Sequence, residues 1–437
     1  MKTYICKKKM NMINIAWLRR DLRLTDNTAL QHALKNGNKT AVLFIFDTNI
    51  LDELDKDDAR VTFIHQQLTK IDRQLREMNS GLLVKTGDPF KIWQELISGF
   101  EISEVHFNRD YEPYATKRDE QVQQLLQKNN ISAFAHKDQV IFEPHEVLKA
   151  DGTPYTVFTP YKNKWLEHFN PQQIKIEEKL KKNAFAAIES SVPTLEDIGF
   201  QKSDIEVEDY DLSVVKNYRK TRNFPAVHGT SNLSVHLRFG TVSIRQIVQQ
   251  VYQQSPDFLS ELVWREFFMQ ILFHFPRVVN ENFRTKYNGI QWRNNEKEFE
   301  RWCKGETGYP IVDAGMRELN KTGYMHNRVR MITASFLCKH LLIDWRWGEA
   351  WFAKKLLDFE LSSNNGNWQW AAGTGCDAAP YFRVFNPTEQ VKKFDNEMLY
   401  IKKWVPEFQD LSYPAPMVDH KMARNRALET YKKGIAE

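Results

Sequence analysis

Three groups of residues in the second half of the chain have types and spacings suited to binding or moving charge. Glu261, Trp264 and Arg265, in the run ELVWREF, share one face of a helix through the i, i+3 and i+4 relation. A carboxylate beside an indole and a guanidinium suits a heterocycle and a phosphate; it suits equally a salt-bridged helix packed on one tryptophan. Asn327, Arg330 and Met331, in HNRVRM after Gly323, again share a face. Arg330 is a natural partner for a carboxylate such as Asp358, because pairing satisfies two charges that are costly to bury alone. Tyr218, Arg222-Asn223-Phe224-Pro225 and Thr230-Ser231-Asn232-Leu233-Ser234 put hydroxyls and backbone N–H groups at a helix start. That arrangement suits a phosphate and serves as readily as an ordinary cap.

Residues 356–387 carry such side chains at the highest density. The stretch begins like the end of an amphipathic helix and then breaks into SSNNGN at 362–367, a run that favours turns and caps. Trp368 and Trp370 follow, then the small residues of 373–379, then Tyr381-Phe382-Arg383. Composition alone fits a polar-capped corner. No GxSxG, P-loop or HExxH occurs in the chain, which removes the common hydrolase and metalloprotease readings. A face rich in Trp, Asn, Met and Arg, with few acid/base candidates, points to an aromatic cofactor that performs the redox or light chemistry itself.

The elements that must position these residues fall into two halves, in line with the two to three domains that 437 residues suggest. Apolar strands are expected at 13–18, 41–46, 82–85, 104–108 and 131–135, alternating with helices at 28–35, 59–78, from 89, and at 114–128. This alternation predicts a parallel sheet in a Rossmann-like α/β domain over 12–140. It follows a short basic extension, 1–11, expected to be disordered. No GxGxxG follows the first strand; WLRRDLR ends it instead with clustered charge, read as a solvated or salt-bridged loop. Pro154, Pro160, Pro171 and Pro193 interrupt 141–211, which reads as a connector. Helical periodicity then runs through 212–437, with helices at 257–275, 297–304, 312–322, 328–343 and 348–357. The fold class is therefore α/β followed by all-α.

The net charge of +5 permits an anionic partner without demanding one. Aromatics make up 13% and include 12 tryptophans, an excess that invites stacking as well as packing. Cys6, Cys303, Cys338 and Cys376 form no CxxC pair and no metal-ligand spacing, which suits a reduced cytoplasmic protein without a metal. No apolar run reaches the roughly 18 residues of a membrane span, so no membrane partner is expected.

Taken together, the motifs closely resemble the photolyase/cryptochrome family. They are WLRRDLRLTDN, FTPYKNKW, FPAVHGTSNLS, ELVWREF, TGYPIVDAGMREL, GYMHNRVRM and SSNNGNWQWAAGTGCDAAPYFRVFNP. The match runs from about residue 13 to about 407, and within the family it is similar to the class I enzymes that repair cyclobutane pyrimidine dimers. The resemblance implies FAD held in the helical domain. Tyr218, Thr230, Ser231, Asn232, Leu233, Ser234 and Phe258 match its diphosphate and ribose surroundings, and Asp358, Phe359 and Glu360 match the segment along the flavin and adenosine. Asn364 matches the amide facing flavin N5, and Arg330 the cation near the isoalloxazine. It further implies that photoexcited reduced FAD passes an electron to a flipped-out dimer, which splits and returns it.

On the same resemblance, Glu261, Asn327 and Met331 line the lesion pocket, with Trp264 and Trp370 as stacking walls. Trp292, Trp345 and Trp368 match an electron relay. Arg222, Arg265, Arg328 and Arg383 match the DNA-binding face. Met331 stands where enzymes repairing (6-4) photoproducts carry histidine, which favours the dimer. The implied partner is DNA containing pyrimidine dimers, bound by a monomer that is cytoplasmic and nucleoid-associated when on DNA. The rival within the family is a cryptochrome-type photoreceptor without repair. The chain departs from the pattern at three places. Asn232 replaces a common Arg or His, Glu360 a common Asp, and Tyr114-Ala115 the Asn-Glu pair of folate-antenna relatives. The last argues against folate and leaves a deazaflavin, a flavin or no second chromophore. The C-terminus lacks the long tail of many signalling cryptochromes.

Overall fold

The computed structural model describes residues 12–35, 37–176 and 180–436. The extension 1–11 lies outside them. The chain divides into two compact units. One comprises residues up to 141 with Asn170–Asp204 and His236–Gln249; the other comprises Phe142–Phe169, Ile205–Val235 and Gln250–Glu437. The stretch read as a connector is thus shared between them.

In the first unit, β1 (Ile13–Leu18), β2 (Lys39–Asp47), β3 (Leu82–Gly87), β4 (Ile102–Asn108) and β5 (Ser132–His136) form one sheet in the order β3-β2-β1-β4-β5. All four pairings are parallel. Continuous apolar runs build the centre: every residue of β1 is buried, as sheets covered on both faces require. The intervening helices are α1 (Thr28–Ala33), α2 (Ala59–Arg76), α3 (Pro89–Gly99) and α4 (Pro113–Lys128). The charge cluster after β1 is salt-bridged and largely buried. Arg19 pairs with Asp119 at 3.0 Å, Arg20 with Asp110 at 3.1 Å and Arg23 with Asp138 at 2.6 Å.

The second unit is helical. Its elements relevant to the site are α5 (Phe158–His168), α6 (Tyr218–Thr221), α7 (Pro256–His274), α8 (Pro310–Thr322), α9 (Asn327–Ser335), α10 (Trp345–Lys355), α11 (Leu361–Ala372) and α12 (His420–Ala436). A large core joins α8, α9, α10 and α11 and includes Trp302, Trp345 and Trp368.

Two local expectations are corrected. The helix expected over 328–343 ends as an α-helix at Ser335 and widens into a π turn, Phe336–His340. From within that turn, Lys339 Nζ donates to Ala372 O at 2.7 Å, at the carboxyl end of α11. The run 362–367 is no turn: it forms the first half of α11. Its polar residues find tertiary partners in place of the local bonds that would have made a turn. Asn365 Nδ2 donates to Val278 O at 3.0 Å, and Gln369, one helical turn on, donates to Val278 O at 3.1 Å and accepts from Phe283 N at 2.8 Å. The glycine in the run, Gly366, lets α11 approach α7 closely.

Candidate functional site

α11 stands between the two charged helices singled out above, packing on α7 and on α9. At its start, Glu360 is the N-cap residue; it accepts from Ser363 Oγ at 3.1 Å and pairs with Arg265 at 3.4 Å. Arg265, expected on the DNA face, is 13% exposed and turns to this carboxylate. Phe258 is buried on α7, and the Tyr218 ring meets it edge-on at 5.1 Å.

Arg330, on α9, reaches Asp358 through two hydrogen bonds of 3.1 and 2.9 Å, and its Nε donates to Met325 O at 2.7 Å. This is the pairing expected from the residue types. Nearby, Tyr324 donates its hydroxyl hydrogen to Thr230 Oγ1 at 3.4 Å. Ser231 is buried, Asn232 holds a left-handed φ of 52° and donates to Glu208 at 2.8 Å, and Ser234 is exposed. The side chain of Asn232 is therefore turned to a carboxylate.

The amide of Asn364 has a fixed orientation. Its Nδ2 donates to Glu349 O at 3.1 Å and to Glu349 Oε1 at 3.0 Å. Both are acceptors, so the nitrogen must face them and the carbonyl oxygen forms the other end. Burial pushes the Glu349 carboxyl above its usual range, and the Asn364 bond opposes that shift.

A second set of charged residues begins at Glu261. Arg222, capping the carboxyl end of α6, pairs with it at 2.6 Å. Arg328 donates to Asn223 Oδ1 at 2.6 Å and covers the Phe394 ring at 4.4 Å. Arg383 lies 6.0 Å from the centre of the Trp370 ring and 5.1 Å from that of Phe385. Burial, and then the positive charges of Arg222 and Arg383, depress the Arg328 guanidinium, so Arg328 lies within electrostatic range of each. Asn327 is exposed and Met331 half-buried, one turn apart on α9.

Trp264 lies face-to-face on Phe158 at 3.6 Å and 8°, and stacks on Phe268 at 5.4 Å. Its ring therefore offers an edge more than a free face. Phe158 was missed from the sequence, although it opens the FTPYKNKW run; its N–H is held by Asp377 at 3.0 Å.

Trp368 is 2% exposed and meets Phe352 at 4.9 Å and Trp302 at 6.1 Å, both edge-on. Trp345 is fully buried, with Nε1 donating to Asn282 Oδ1 at 2.9 Å. Trp292 is partly buried and meets Tyr431 of α12 edge-on at 5.9 Å. The three belong to one aromatic core, but Trp368 makes its ring contacts with Trp302 and Phe352 rather than with the other two.

The residues fit a flavin. Ser362 Oγ and His326 Nε2 are buried without a partner among the described residues, the Asn364 carbonyl can accept from a ring N–H, and the Arg330–Asp358 pair sets a cation near the polar Thr230. A doubly wound α/β unit with a helical unit of this kind defines a flavoprotein of the photolyase and cryptochrome type. Residues 14–181 match DNA photolyase, and residues 258–412 match the FAD binding domain of DNA photolyase. A deoxyribodipyrimidine photo-lyase of Vibrio cholerae is 36% identical, covering 96% of this chain and 99% of the relative. A bacterial class III photolyase from Agrobacterium tumefaciens superposes with a TM-score of 0.87 at 33% identity over 100% of both chains. An archaeal photolyase from Sulfolobus tokodaii, solved with two FAD molecules, has a TM-score of 0.83 at 33% identity, covering 97% of this chain and 100% of that one. The chain belongs to the DNA photolyase family.

Proposed function

We propose that the protein is a deoxyribodipyrimidine photo-lyase, a carbon–carbon lyase that repairs cyclobutane pyrimidine dimers in DNA with light. The observation that carries this reading is a row of three arginines: Arg222 pairs with Glu261 at 2.6 Å, Arg328 feels the charges of both Arg222 and Arg383, and Arg383 lies 6.0 Å from the centre of the Trp370 ring. Three guanidiniums in a row with one carboxylate partner among them suit a polyanion, and the partly buried Trp370 indole beside Arg383 suits a base. FAD, when bound in reduced form, supplies light-driven electron transfer to the dimer.

The chain's own residues bind, orient and relay. Arg222, Arg328 and Arg383 hold backbone phosphates, giving affinity that depends on salt and little on sequence. Photolyases are among the enzymes that act on an extruded base, and a dimer, already poorly stacked, costs less to extrude. Trp370 stacks on it and Trp264 closes the wall with its edge, while Asn327 and Met331 line the other side. Asn364, whose nitrogen is held by Glu349, would offer its carbonyl to a flavin N–H. Arg330, held in place by its pair with Asp358, would favour an anionic ring through Coulomb attraction in a partly dry site. Trp292, Trp345 and Trp368 carry electrons inward from the surface.

A photoreceptor without repair would need the flavin and the relay but no cation cluster beside an acid and an indole. A second chromophore has a candidate place in the first unit. There a cleft of about 260 Å³ is lined by Asn49, Asp88, Phe90, Tyr114, Lys117 and Arg118, near the carboxyl ends of β2 and β3, where parallel sheets bind ligands. Illumination of the reduced protein with a thymine-dimer oligonucleotide tests this reading: the absorbance of the bases should recover in the light and not in the dark.

A further inference from the structure

Glu261 and Arg222 form a pair whose two ends have different opportunities. Arg222 hangs from the end of the four-residue helix α6, and its side chain is 28% exposed. It lies within electrostatic range of Arg328, which in turn feels Arg383, and neither Arg328 nor Arg383 has a carboxylate partner among the described residues. Glu261 is fixed on the long helix α7 and its side chain is 30% exposed. The charged and titratable groups facing it are few. They are Arg222 and the Tyr218 hydroxyl from α6, and Asp257 one turn earlier on α7. Asp257 repels it, and Arg219 is 4.0 Å from Asp257. Arg265, on its own helix, is engaged by Glu360. One cation therefore compensates Glu261, and that cation neighbours a second guanidinium, Arg328, with which it can share an incoming phosphate.

We propose that Arg222 couples lesion binding to protonation of Glu261: a backbone phosphate draws the guanidinium away, and Glu261 takes up one proton from solvent. The inference rests on the reading of this cluster as the lesion site. Its physical basis is that a carboxylate enclosed by the flipped bases, once stripped of its cation, is neutralised more cheaply than it is buried ionised. Burial already pushes the carboxyl up, and Arg222 is the chief group pulling it back. The consequence is chemical. An ionised carboxylate only accepts hydrogen bonds, whereas the protonated acid donates one. A donated bond to a pyrimidine carbonyl stabilises the negative charge that the dimer acquires; a carboxylate in the same place would repel it. Arg222 is in this account a positioning residue that acts through Glu261.

Calorimetric titration in the dark tests the proposal, using dimer-containing and undamaged duplexes of one sequence at pH 7 in two buffers of different ionisation enthalpy. The parent protein should take up about one proton more with the dimer duplex than with the undamaged one. Glu261→Gln should lose that excess whatever affinity it retains. Arg222→Gln should also reduce it, because Glu261 then has no cation to lose when the phosphate arrives. An infrared band of a protonated carboxylic acid should appear on dimer binding in the parent and be absent in Glu261→Gln. Dimer-specific binding without excess proton uptake would overturn the coupling and leave the repair function intact. Undiminished uptake by Glu261→Gln would overturn it equally. Absence of any preference for the dimer would overturn the function itself, and the coupling with it.

Discussion

Gly366 of α11 lies so close to Phe268 of α7 that a Cβ at position 366 would overlap the phenyl ring. This contact sets the spacing between the helix that carries Asn364 and the helix that carries Glu261. Gly366→Ala should therefore destabilise the protein by roughly 1–3 kcal/mol, the usual cost of overpacking, despite the better helix propensity of alanine. Urea unfolding checks it. Gly99, in α3, has nothing within 4 Å of the same hypothetical atom, so Gly99→Ala should leave the midpoint unchanged or raise it.

The Arg330–Asp358 pair is bidentate, and its side chains are 23% and 6% exposed. Removing one partner strands the other. Asp358→Asn should cost on the order of 3 kcal/mol and lower the flavin retained through purification, read from the visible absorbance per protein. Replacing both residues with apolar side chains should recover stability without recovering flavin.

His326 caps α9, with its Nδ1 accepting from Arg328 N at 3.1 Å. Burial, aided by Arg330 and Arg328, pulls its pKa from 6.5 down to about 4. The unfolded chain then binds the proton more readily than the folded one. Stability from this group is complete above pH 6.5 and is lost as pH falls towards 4. The loss is on the order of 3 kcal/mol for one histidine. His326→Asn, which keeps a capping acceptor but does not titrate there, should flatten the slope of unfolding free energy between pH 4 and 6.5 relative to the parent.

Much of this was legible from residue pattern. Strands such as AVLFIF have few alternatives to a buried parallel sheet, and Arg330 and Asp358 were matched by the simple need to pair buried charge. The run 362–367 misled because Ser, Asn and Gly favour turns locally, whereas here Val278 and Phe283 supply distant partners for Asn365 and Gln369. Side-chain direction was illegible for the same reason. Arg265 shares a helical face with Glu261, yet Glu360, almost a hundred residues away, captures it. Phe158 gave no signal as a wall for Trp264, since a lone phenylalanine reads as core.

Trp368 is enclosed by Phe352 and Trp302 and sits one turn after Asn364 on α11. Phenylalanine fits that space but is far harder to oxidise. Photoreduction of the oxidised flavin in Trp368→Phe should fall by about tenfold or more, since only about 1.4 kcal/mol of added barrier has that effect. Transient absorption would show it. A rate equal to the parent's would remove Trp368 from the relay.

The central claim is light-driven repair. The purified protein, with FAD bound and reduced, is mixed with a thymine-dimer oligonucleotide and illuminated with blue light while the ultraviolet absorbance of the bases is followed. Absorbance should recover in the light and stay constant in the dark, and Glu261→Ala should recover it less efficiently while keeping its flavin. No recovery in the light from the parent protein would contradict the account.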